Sequence, residues 1–461
     1  MTSISLKTRI REALYNAFEK QTSIAPLAIL RMVFGAILFI SILRFILKGW
    51  VTDFYISPKF YFTYYGFEWV KPLDATGMFA LFYLMAFAAL CIFIGFFYRV
   101  ATIVFFICFT YVELIDKTYY LNHYYFVSII SFLLMLVPAH RCYSLDVRLR
   151  PSLQVTSVPA WTISVFKLQL LLVYFFAGIS KLNYDWMIEA MPLKIWLPAN
   201  NHLPIIGPLL AEQWIAYVFC YFGLLFDLAI GFILWNKKTV KAGYFFVVIF
   251  HLCTAYLFKI GMFPYIMIGA TLIFFPEHFH ENMIHRLRKL FRQSDKTEIQ
   301  QSFQHSPRVA FILKTIFIIY FTLQILIPMR YILYPGNLFW TEEGYRFSWR
   351  VMLMEKAGTC FFYVKDKGKP GKTEVYNAQF LTPLQEKMMS TQPDMILQYA
   401  HFLKEEYQKR NFNDPEVTVE SYVTLNGSGS RLFIDSTADL SKEQESFFPK
   451  KWILAFAEKQ N

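Results

Sequence analysis

The sequence predicts a mainly α-helical membrane protein, a bundle of about nine spans followed by a small α+β domain outside the membrane. Hydrophobic residues make up 56% of the 461 residues, and charged residues only 17%. Soluble proteins average about 45–50% apolar and about 25% charged residues. In addition, several apolar runs are long enough to cross a hydrocarbon core of about 30 Å. These observations exclude a soluble enzyme, a disordered chain and a fibrous repeat.

The predicted elements begin with an amphipathic helix over residues 1–22, lying in the membrane interface. This segment combines basic residues such as Lys7 and Arg9 with apolar ones such as Leu14, and it lacks a long apolar run and a signal-peptide cleavage site. Residues 23–329 are predicted as the transmembrane domain, with nine spans, or eight or ten as alternatives. The spans are placed near 25–47, 74–97, 100–116, 120–138, 159–180, 212–235, 240–258, 260–276 and 308–328.

The basic residues predict the orientation of this bundle. They cluster in the N-terminal segment and after the even-numbered spans, at Lys7, Arg9, Arg11, Arg99, Arg141, Arg148, Arg150, Lys237, Lys238, Lys241, Arg286, Arg288, Lys289 and Arg292. Because positive residues accumulate on the cytoplasmic side, we expect a cytoplasmic N-terminus, and a bacterial inner membrane if the chain is bacterial. The same distribution argues against nucleic-acid binding despite the net charge of +12, since no single basic patch results.

Residues 330–461 are predicted to form the extracytoplasmic α+β domain. Alternating residues at 359–365, 373–377 and 417–425 predict strands, the last of which is expected to pair with 431–434 across Asn426-Gly427-Ser428-Gly429. Residues 383–410 have the spacing and charge of helices. Two outer loops, 48–73 and 182–211, are too long for turns and too apolar for full solvation, so we expect re-entrant or interfacial segments.

The six cysteines predict neither a disulfide framework nor a metal centre. Five of them lie within or beside apolar spans, and only Cys360 belongs to the C-terminal domain. The sequence contains no CxxC motif and no Cys/His pair at metal-ligand spacing. We therefore expect no bound zinc and no iron–sulfur cluster.

Charged residues inside spans cost about 2.5–3.5 kcal/mol each on insertion scales, so each requires a partner or a function. Three of them are Arg31, Glu113 and Asp227. The sequence favours mutual ion pairs or hydrogen bonds among these three side chains that fix the helix packing. A direct functional role is the alternative.

Three further titratable residues are expected near the outer face of the membrane. Lys181 ends an apolar, aromatic helix, His123 begins the fourth span, and His251 lies in the outward half of the seventh. Burial favours the neutral amine of Lys181, which can act as a base, although a lysine at a helix end can instead snorkel to the interface. Each histidine alone is explained by an ordinary hydrogen bond. Their convergence defines a candidate catalytic site.

At these residues the sequence resembles the vitamin K-dependent gamma-glutamyl carboxylases and the related horizontally transferred transmembrane (HTTM) domain proteins. The resemblance covers roughly residues 110–435. Its segments are 112–118, Asn122-His123, 143–146, Ala177-Gly178-Ile179-Ser180-Lys181-Leu182, 224–228, Phe250-His251, 260–263 and 344–349.

The resemblance implies an enzyme that uses reduced vitamin K (a menaquinol- or phylloquinol-type hydroquinone) with O2 and CO2. In the family, conversion of the quinol to its epoxide drives carboxylation of glutamyl residues in a peptide or protein. The family's base falls on Lys181, and its two quinol-holding histidines fall on His123 and His251. Residues expected to line the quinone slot are Met262, Phe263, Tyr265, Trp349 and Met352.

The sequence also departs from the family pattern. Arg350 stands where the carboxylases have Asp after Ser-Trp, and Pro264 stands where they have serine after Met-Phe. These departures leave open a quinol epoxidase that does not carboxylate peptides. A lipid- or quinone-binding or transport protein is a further alternative, but we find no convincing internal repeat of the kind that transporters carry.

Overall fold

The computed structural model describes residues 19–258, 260–290 and 301–456. Ten helices form the N-terminal part: α1 (Ala25–Leu47), α2 (Ala75–Ile94), α3 (Tyr98–Ile115), α4 (Asn122–Leu136), α5 (Trp161–Ile179), α6 (Gln213–Trp235), α7 (Val240–Phe258), α8 (Phe263–Thr271), α9 (Glu277–Leu290) and α10 (Pro307–Met329). Short α-helices lie at Trp50–Tyr55, Leu145–Leu149, Tyr184–Met187, Leu193–Trp196, Gly207–Leu210 and Leu338–Thr341. Single 3-10 turns lie at Lys117–Tyr119, Pro151–Leu153, Pro198–Asn200, Leu272–Phe274, Arg330–Leu333 and Asn377–Gln379.

The predicted fold class is confirmed, and a helix is present at each of the nine predicted spans. Within the described residues, seven helices are long and apolar enough to cross a membrane: α1, α2, α3, α5, α6, α7 and α10 with its 3-10 extension. The predicted spans 120–138 and 260–276 were too long. The 15 residues of α4 extend for only about 22 Å, and α8 begins only after Gly261, whose φ of 68° interrupts the helix.

Helix ends follow local sequence rules. The side chain of Asp74 caps α2 by accepting a hydrogen bond from the Gly77 main-chain nitrogen at 3.1 Å. Gly95, in the left-handed region at φ 69°, ends the same helix. The basic residues predicted between the last two spans lie partly on α9, whose last turn carries Arg288 and Lys289.

Arg31 links α1 to its neighbours, but not through a carboxylate. Its guanidinium is fully buried and donates hydrogen bonds to the main-chain carbonyls of Ile92, Phe93, Ala139 and Tyr143 at 2.6–3.1 Å. The predicted mutual pairing of Arg31, Glu113 and Asp227 is therefore wrong. Four carbonyl oxygens at helix ends and turns satisfy the Arg31 charge instead.

The N-terminal segment was predicted as an interfacial helix over residues 1–22. Residues 1–18 lie outside the described part of the chain. The last residues of the predicted helix are not helical, because β1 (Gln21–Ser23) pairs antiparallel with β2 (Ser157–Pro159). The carboxylate of Glu277, at the start of α9, holds this strand by accepting hydrogen bonds from Thr22 and Ser23.

The C-terminal domain is a four-stranded antiparallel sheet covered by two helices. Its strands are β3 (Lys356–Asp366), β4 (Thr373–Glu374), β5 (Pro415–Leu425) and β6 (Arg431–Leu432), in the order β4-β3-β5-β6. The helices are α11 (Pro383–Met389) and α12 (Pro393–Lys409), both within the segment predicted to be helical. Alternate residues of β5 are buried, as the sequence pattern predicted, and Phe362 of β3 packs against Tyr399 of α12.

The two long outer loops lie beneath this domain. Phe62 of the first loop and Trp186 and Leu193 of the second belong to the same apolar core as the sheet and α12. The domain thus covers loop backbone that would otherwise need hydrogen bonds from water. That these loops are re-entrant remains a prediction.

Candidate functional site

Lys181 lies just after the end of α5, and its amine pairs with a carboxylate of α6. The Nζ atom is 2.7 Å from Oδ2 of Asp227 and also donates to the carbonyl of Ala177 at 3.2 Å. The indole of Trp186 covers the amine, with the ring centroid 5.3 Å from Nζ. Lys181 is only 5% exposed. The side chain therefore does not snorkel to water.

Close packing of α5 on α6 brings the two charged groups together. A Cβ atom added at Gly178 would lie 2.8 Å from the main-chain nitrogen of Leu228, and one added at Gly231 would lie 2.4 Å from the side chain of Leu171. Small residues permit such approaches between membrane helices. The 14 residues of α6 that precede Asp227 extend about 21 Å beyond the pair. Lys181 thus lies well inside the protein, although it comes just after the end of α5.

His251 of α7 faces the same space. Its Nε2 atom is 2.9 Å from the hydroxyl of Tyr174 on α5. Its Nδ1 atom is buried and has no hydrogen-bond partner among the described residues. A buried polar atom without a partner costs free energy unless a ligand or water satisfies it. Nδ1 of His251 is therefore the atom of this site that most requires a hydrogen bond from a ligand or a water molecule.

A cavity of about 100 Å³ joins these groups. Lys181, Asp227 and His251 supply its polar wall, whereas its apolar wall includes Phe250, Phe263 and Val351. The cavity combines a buried ion pair with an imidazole and aromatic faces. Such an arrangement can accept a proton from a bound hydroxyl while excluding water.

His123 lies near this cavity without lining it. The ring centroid of Phe263 is 5.7 Å from that of His123 and 5.8 Å from that of His251, so Phe263 separates the two imidazoles. The three predicted site residues thus converge around α8. Lys181 and His251 share the cavity, while contact between His123 and a ligand there requires Phe263 to turn.

The predicted quinone-slot residues divide into two groups. Phe263 and Met352 line the cavity. Met262, Tyr265 and Trp349 do not: Tyr265 is 47% exposed because it lies two positions after Phe263 on α8, on the opposite side of the helix. Trp349 is buried and stacks on Tyr125 at 4.9 Å between ring centroids.

Asp227 is the site residue whose role the sequence analysis missed. It was recognised as a charge inside a span, but it was assigned to the wrong partners. The signal that could have identified Lys181 as its partner is the pair of glycines, Gly178 and Gly231, on consecutive spans.

The segment that leads into His123 is fixed by the C-terminal domain. Nζ of Lys117 lies 2.7 Å from Asp394 of α12, and the same carboxylate accepts a hydrogen bond from Arg346 at 2.7 Å. Burial of Asp394 opposes its ionisation, but Arg346 and Lys117 outweigh it and hold the pKa of this carboxyl well below its ordinary value. Farther along the segment, Asn122 donates to the carbonyl of Arg350 at 2.7 Å.

The pKa of Asp116, at the start of this segment, is shifted in the opposite direction from that of Asp394. Burial raises the pKa of its carboxyl from 3.8 to about 6, against hydrogen bonds from Thr118 and Gln385 that favour the charged form. Gln385 of α11 donates to Asp116 at 2.9 Å and to the carbonyl of Phe60 at 2.7 Å. The segment thus carries an ionised carboxylate partner at one point and a carboxyl that favours its neutral form at another.

No group of three His, Cys, Asp or Glu side chains is placed to hold a metal ion in residues 19–258, 260–290 and 301–456.

The fold and the site together define a polytopic membrane protein with a buried lysine–aspartate–histidine pocket beneath an extramembrane domain. Residues 19–279 match the HTTM domain, and residues 310–459 match the lumenal domain of vitamin K-dependent gamma-carboxylases. The first match covers more than half of the chain, and the protein therefore belongs to the HTTM family. No solved structure matches the chain.

Proposed function

We propose that the protein is an integral-membrane enzyme that oxygenates reduced vitamin K to its epoxide and uses this reaction, with CO2, to carboxylate glutamyl residues. The observation that carries the proposal is the Lys181–Asp227 pair, which shares a cavity with the Nδ1 atom of His251, an atom without a hydrogen-bond partner among the described residues. The family membership supplies the cofactor and the substrate class. The distribution of basic residues supports an N-terminus in the cytoplasm and a C-terminal domain outside it.

The polar groups of the cavity suit a hydroquinone. One hydroxyl can donate to the Lys181–Asp227 pair, and the imidazole of His251 can bond another oxygen through Nδ1. Space is the remaining requirement, since a cavity of about 100 Å³ is smaller than the roughly 150 Å³ that admits a benzene ring. Val351 and Met352 must therefore move outward when a ring enters.

The backbone of this wall supports such a movement. Phe347, Trp349 and Met352 all have φ between 56° and 59°. Each non-glycine residue in the left-handed region costs of order 1–3 kcal/mol, and such strain is frequent in segments that rearrange on ligand binding. This strain favours a rearrangement of the wall when a ligand binds.

The chain's own residues have separable roles in the proposal. When bound, reduced vitamin K supplies the oxygen-dependent chemistry that produces a base strong enough to deprotonate a glutamyl carbon. Lys181 accepts the hydroxyl proton after the ammonium of the pair has passed one proton to Asp227, and Asp227 stays hydrogen-bonded to the ammonium that forms again. Tyr174 fixes the ring of His251, so that Nδ1 is directed to the ligand. Trp186 and the C-terminal domain exclude water.

The test uses the full-length protein in lipid nanodiscs with reduced vitamin K, O2, labelled bicarbonate and a glutamyl pentapeptide. Lys181→Ala is expected to lower epoxide formation at least about 100-fold. Lys314→Ala, at an exposed lysine of α10, is the matched control and should retain the wild-type rate. Epoxide formation that survives Lys181→Ala would contradict the proposed role of the amine.

A quinol epoxidase without peptide carboxylation is the second candidate. The specific observation behind it is Arg350, which stands where the carboxylases have Asp and lies with its guanidinium 4.3 Å from the ring centroid of Tyr331. In the same assay, epoxide without label in the peptide would establish this candidate. Label in the peptide would exclude it.

A further inference from the structure

A second cavity is separate from the Lys181 cavity. It has a volume of about 820 Å³, and none of the residues that line it also lines the smaller cavity. It lies between α3, α4, α10 and the C-terminal domain. Ligand sites typically have volumes of about 300–1,000 Å³. The proposed chemistry makes no use of this space.

The walls of this cavity change from apolar to charged along its length. Phe106 of α3, Ile129 and Phe132 of α4, and Ile327 of α10 line one part. Because α10 is apolar and largely exposed within the described chain, this part borders the hydrocarbon core. Arg330 and Glu343, just beyond the end of α10, line the other part. Such a gradient matches a molecule with an apolar chain and a polar head.

Arg330 is a cation without a carboxylate partner among the described residues. Its guanidinium donates to the main-chain carbonyls of Ile327, at 2.9 Å, and of Arg346. Lys117 and Arg346, which also line the cavity, share the single carboxylate of Asp394. Arg330 is therefore free to bind an anion, and an arginine fork suits phosphate oxygens.

Glu343 supplies a negative group at the same end. Its carboxylate accepts a hydrogen bond from the main-chain nitrogen of Lys450 at 3.1 Å, whereas the ammonium of Lys450 pairs with Glu445 at 3.2 Å. Within the described part of the chain, Glu343 thus has no ion-pair partner. Arg330 and Glu343 thus offer a cation and a carboxylate, neither with an ion-pair partner among the described residues, and together they complement a zwitterion.

Aromatic side chains surround the opening. Tyr65, Phe67 and Phe447 line the cavity and are at least 40% exposed, and Tyr65 packs edge-on against Phe447 at 5.0 Å. Exposed aromatic residues concentrate where a membrane protein meets the headgroup region. The opening is therefore placed at the depth of lipid heads.

We propose that this cavity binds one membrane phospholipid whose head carries both a phosphate and a primary ammonium. Arg330 binds the phosphate, Glu343 binds the ammonium, and one acyl chain lies along Ile129 and Phe132. The site would hold the C-terminal domain against the spans at the bilayer surface. It stands independently of the proposed reaction.

The test measures binding of phospholipids that carry a fluorescent acyl chain to the full-length protein in detergent, by fluorescence anisotropy. Phosphatidylethanolamine has both head groups, whereas phosphatidylglycerol keeps the phosphate and lacks the ammonium. Arg330→Gln is expected to weaken both lipids about tenfold or more, and Arg330→Lys to weaken them less. Glu343→Gln should weaken phosphatidylethanolamine to a similar degree and leave phosphatidylglycerol unchanged or bound more tightly.

The lipid-binding assay has its own controls, and its outcomes can be distinguished from those of the catalytic assay. Lys451→Gln and Glu405→Gln change exposed charges that do not line the cavity and should bind both lipids as the wild type does. Equal weakening of both lipids by Glu343→Gln would overturn the assignment of the ammonium. Displacement of the bound lipid by the glutamyl pentapeptide would overturn the site as a lipid site and assign it to the peptide.

Discussion

Lys181 and Asp227 are each other's only carboxylate or amine partner within the described residues, and both are almost fully buried. Removing one member of a buried pair leaves the other charge without compensation, which typically costs 3–5 kcal/mol of stability. A loss of activity in a single variant could therefore reflect loss of structure alone. Separating the two effects requires replacing both residues together.

We expect the double variant Lys181→Met/Asp227→Leu to fold with nearly the stability of the wild type but to form no epoxide. Replacing a buried ion pair by apolar side chains of similar size is often neutral or stabilising. Thermal unfolding in detergent measures the first property, and epoxide formation the second. A double variant that is both stable and active would show that the pair serves only helix packing.

We expect Asp227→Asn alone to lower epoxide formation by about 10–100-fold, because a charged hydrogen bond of about 1.5–3 kcal/mol to the protonated amine is lost. Glu405→Gln, at an exposed position of α12, is the control for loss of one negative charge. A rate equal to that of the wild type would remove Asp227 from the mechanism.

Asp116 gives a prediction for the dependence of stability on pH. Its carboxyl titrates near pH 6 in the folded protein and near pH 4 when unfolded, so the folded state binds more protons between these values. The free energy of unfolding therefore falls as the pH rises from 4 to 6, by about 2 kcal/mol from this group. Asp116→Asn keeps a neutral acceptor for Gln385 and should become more stable relative to the wild type over this interval. If the melting temperatures of the wild type and of Asp116→Asn change with pH in parallel, Asp116 is not the source of the pH dependence.

The contact between α5 and α6 determines where Lys181 meets Asp227. An added Cβ at Gly178 would contact the main chain of α6 at 2.8 Å, and a main chain cannot move aside as a side chain can. We expect Gly178→Ala to lower both thermal stability and epoxide formation, the latter at least tenfold. Gly243→Ala is the matched control, since the three atoms nearest to its Cβ would be side-chain atoms of Ile233 and Leu234, at 3.0–3.6 Å. Equal effects of the two substitutions would contradict a special role for the α5–α6 contact.

The elements that the sequence predicted well are those whose signal is local. The limits of α1 and α7 agree with the predicted spans, because each is one uninterrupted apolar run, and the alternation of β5 gave its buried face directly. α4 and α8 were predicted too long, since hydropathy does not register the extended backbone of Leu121 and Val137 that bounds α4, or the positive φ of Gly261 before α8. The partners of Arg31 and Asp227 depend on contacts between distant segments, and a single sequence contains no local signal for them.

The candidate site was predictable in its residue types but not in its geometry. Lys181 and His251 were expected together and share a cavity, whereas Tyr265 was expected there and faces away. The difference arises from rotation about α8, where two residues of displacement move a side chain to the other side of the helix. The cavity wall formed by Val351 and Met352 comes from a distant irregular segment whose φ values the sequence does not reveal.

The two parts of the molecule are joined where the chain approaches His123. Asp394 of the C-terminal domain holds Lys117 and Arg346, and Phe347 donates its main-chain N–H to the hydroxyl of Tyr120 at 2.7 Å. Because these contacts immediately precede His123, the position of the extramembrane domain is coupled to that of the imidazole. A partner that moves the domain would therefore act on the site without entering it.

We expect Asp394→Asn to loosen this joint, since it leaves two buried cations without their shared carboxylate, at a cost of about 3–5 kcal/mol. Hydrogen exchange should increase in residues 116–122 and 383–409, and epoxide formation should fall even where the spans remain folded.

Because the depressed pKa of Asp394 keeps it ionised at and above its ordinary value of 3.8, the stabilisation is present above about pH 4 and is lost only as the pH falls below it. The wild type and the variant should therefore converge in stability at low pH and differ by a constant amount above pH 5. Asp414→Asn, at an exposed carboxylate 3.6 Å from Lys367, should change neither exchange nor activity. Unchanged exchange in 116–122 with Asp394→Asn would show that the C-terminal domain does not position the His123 segment.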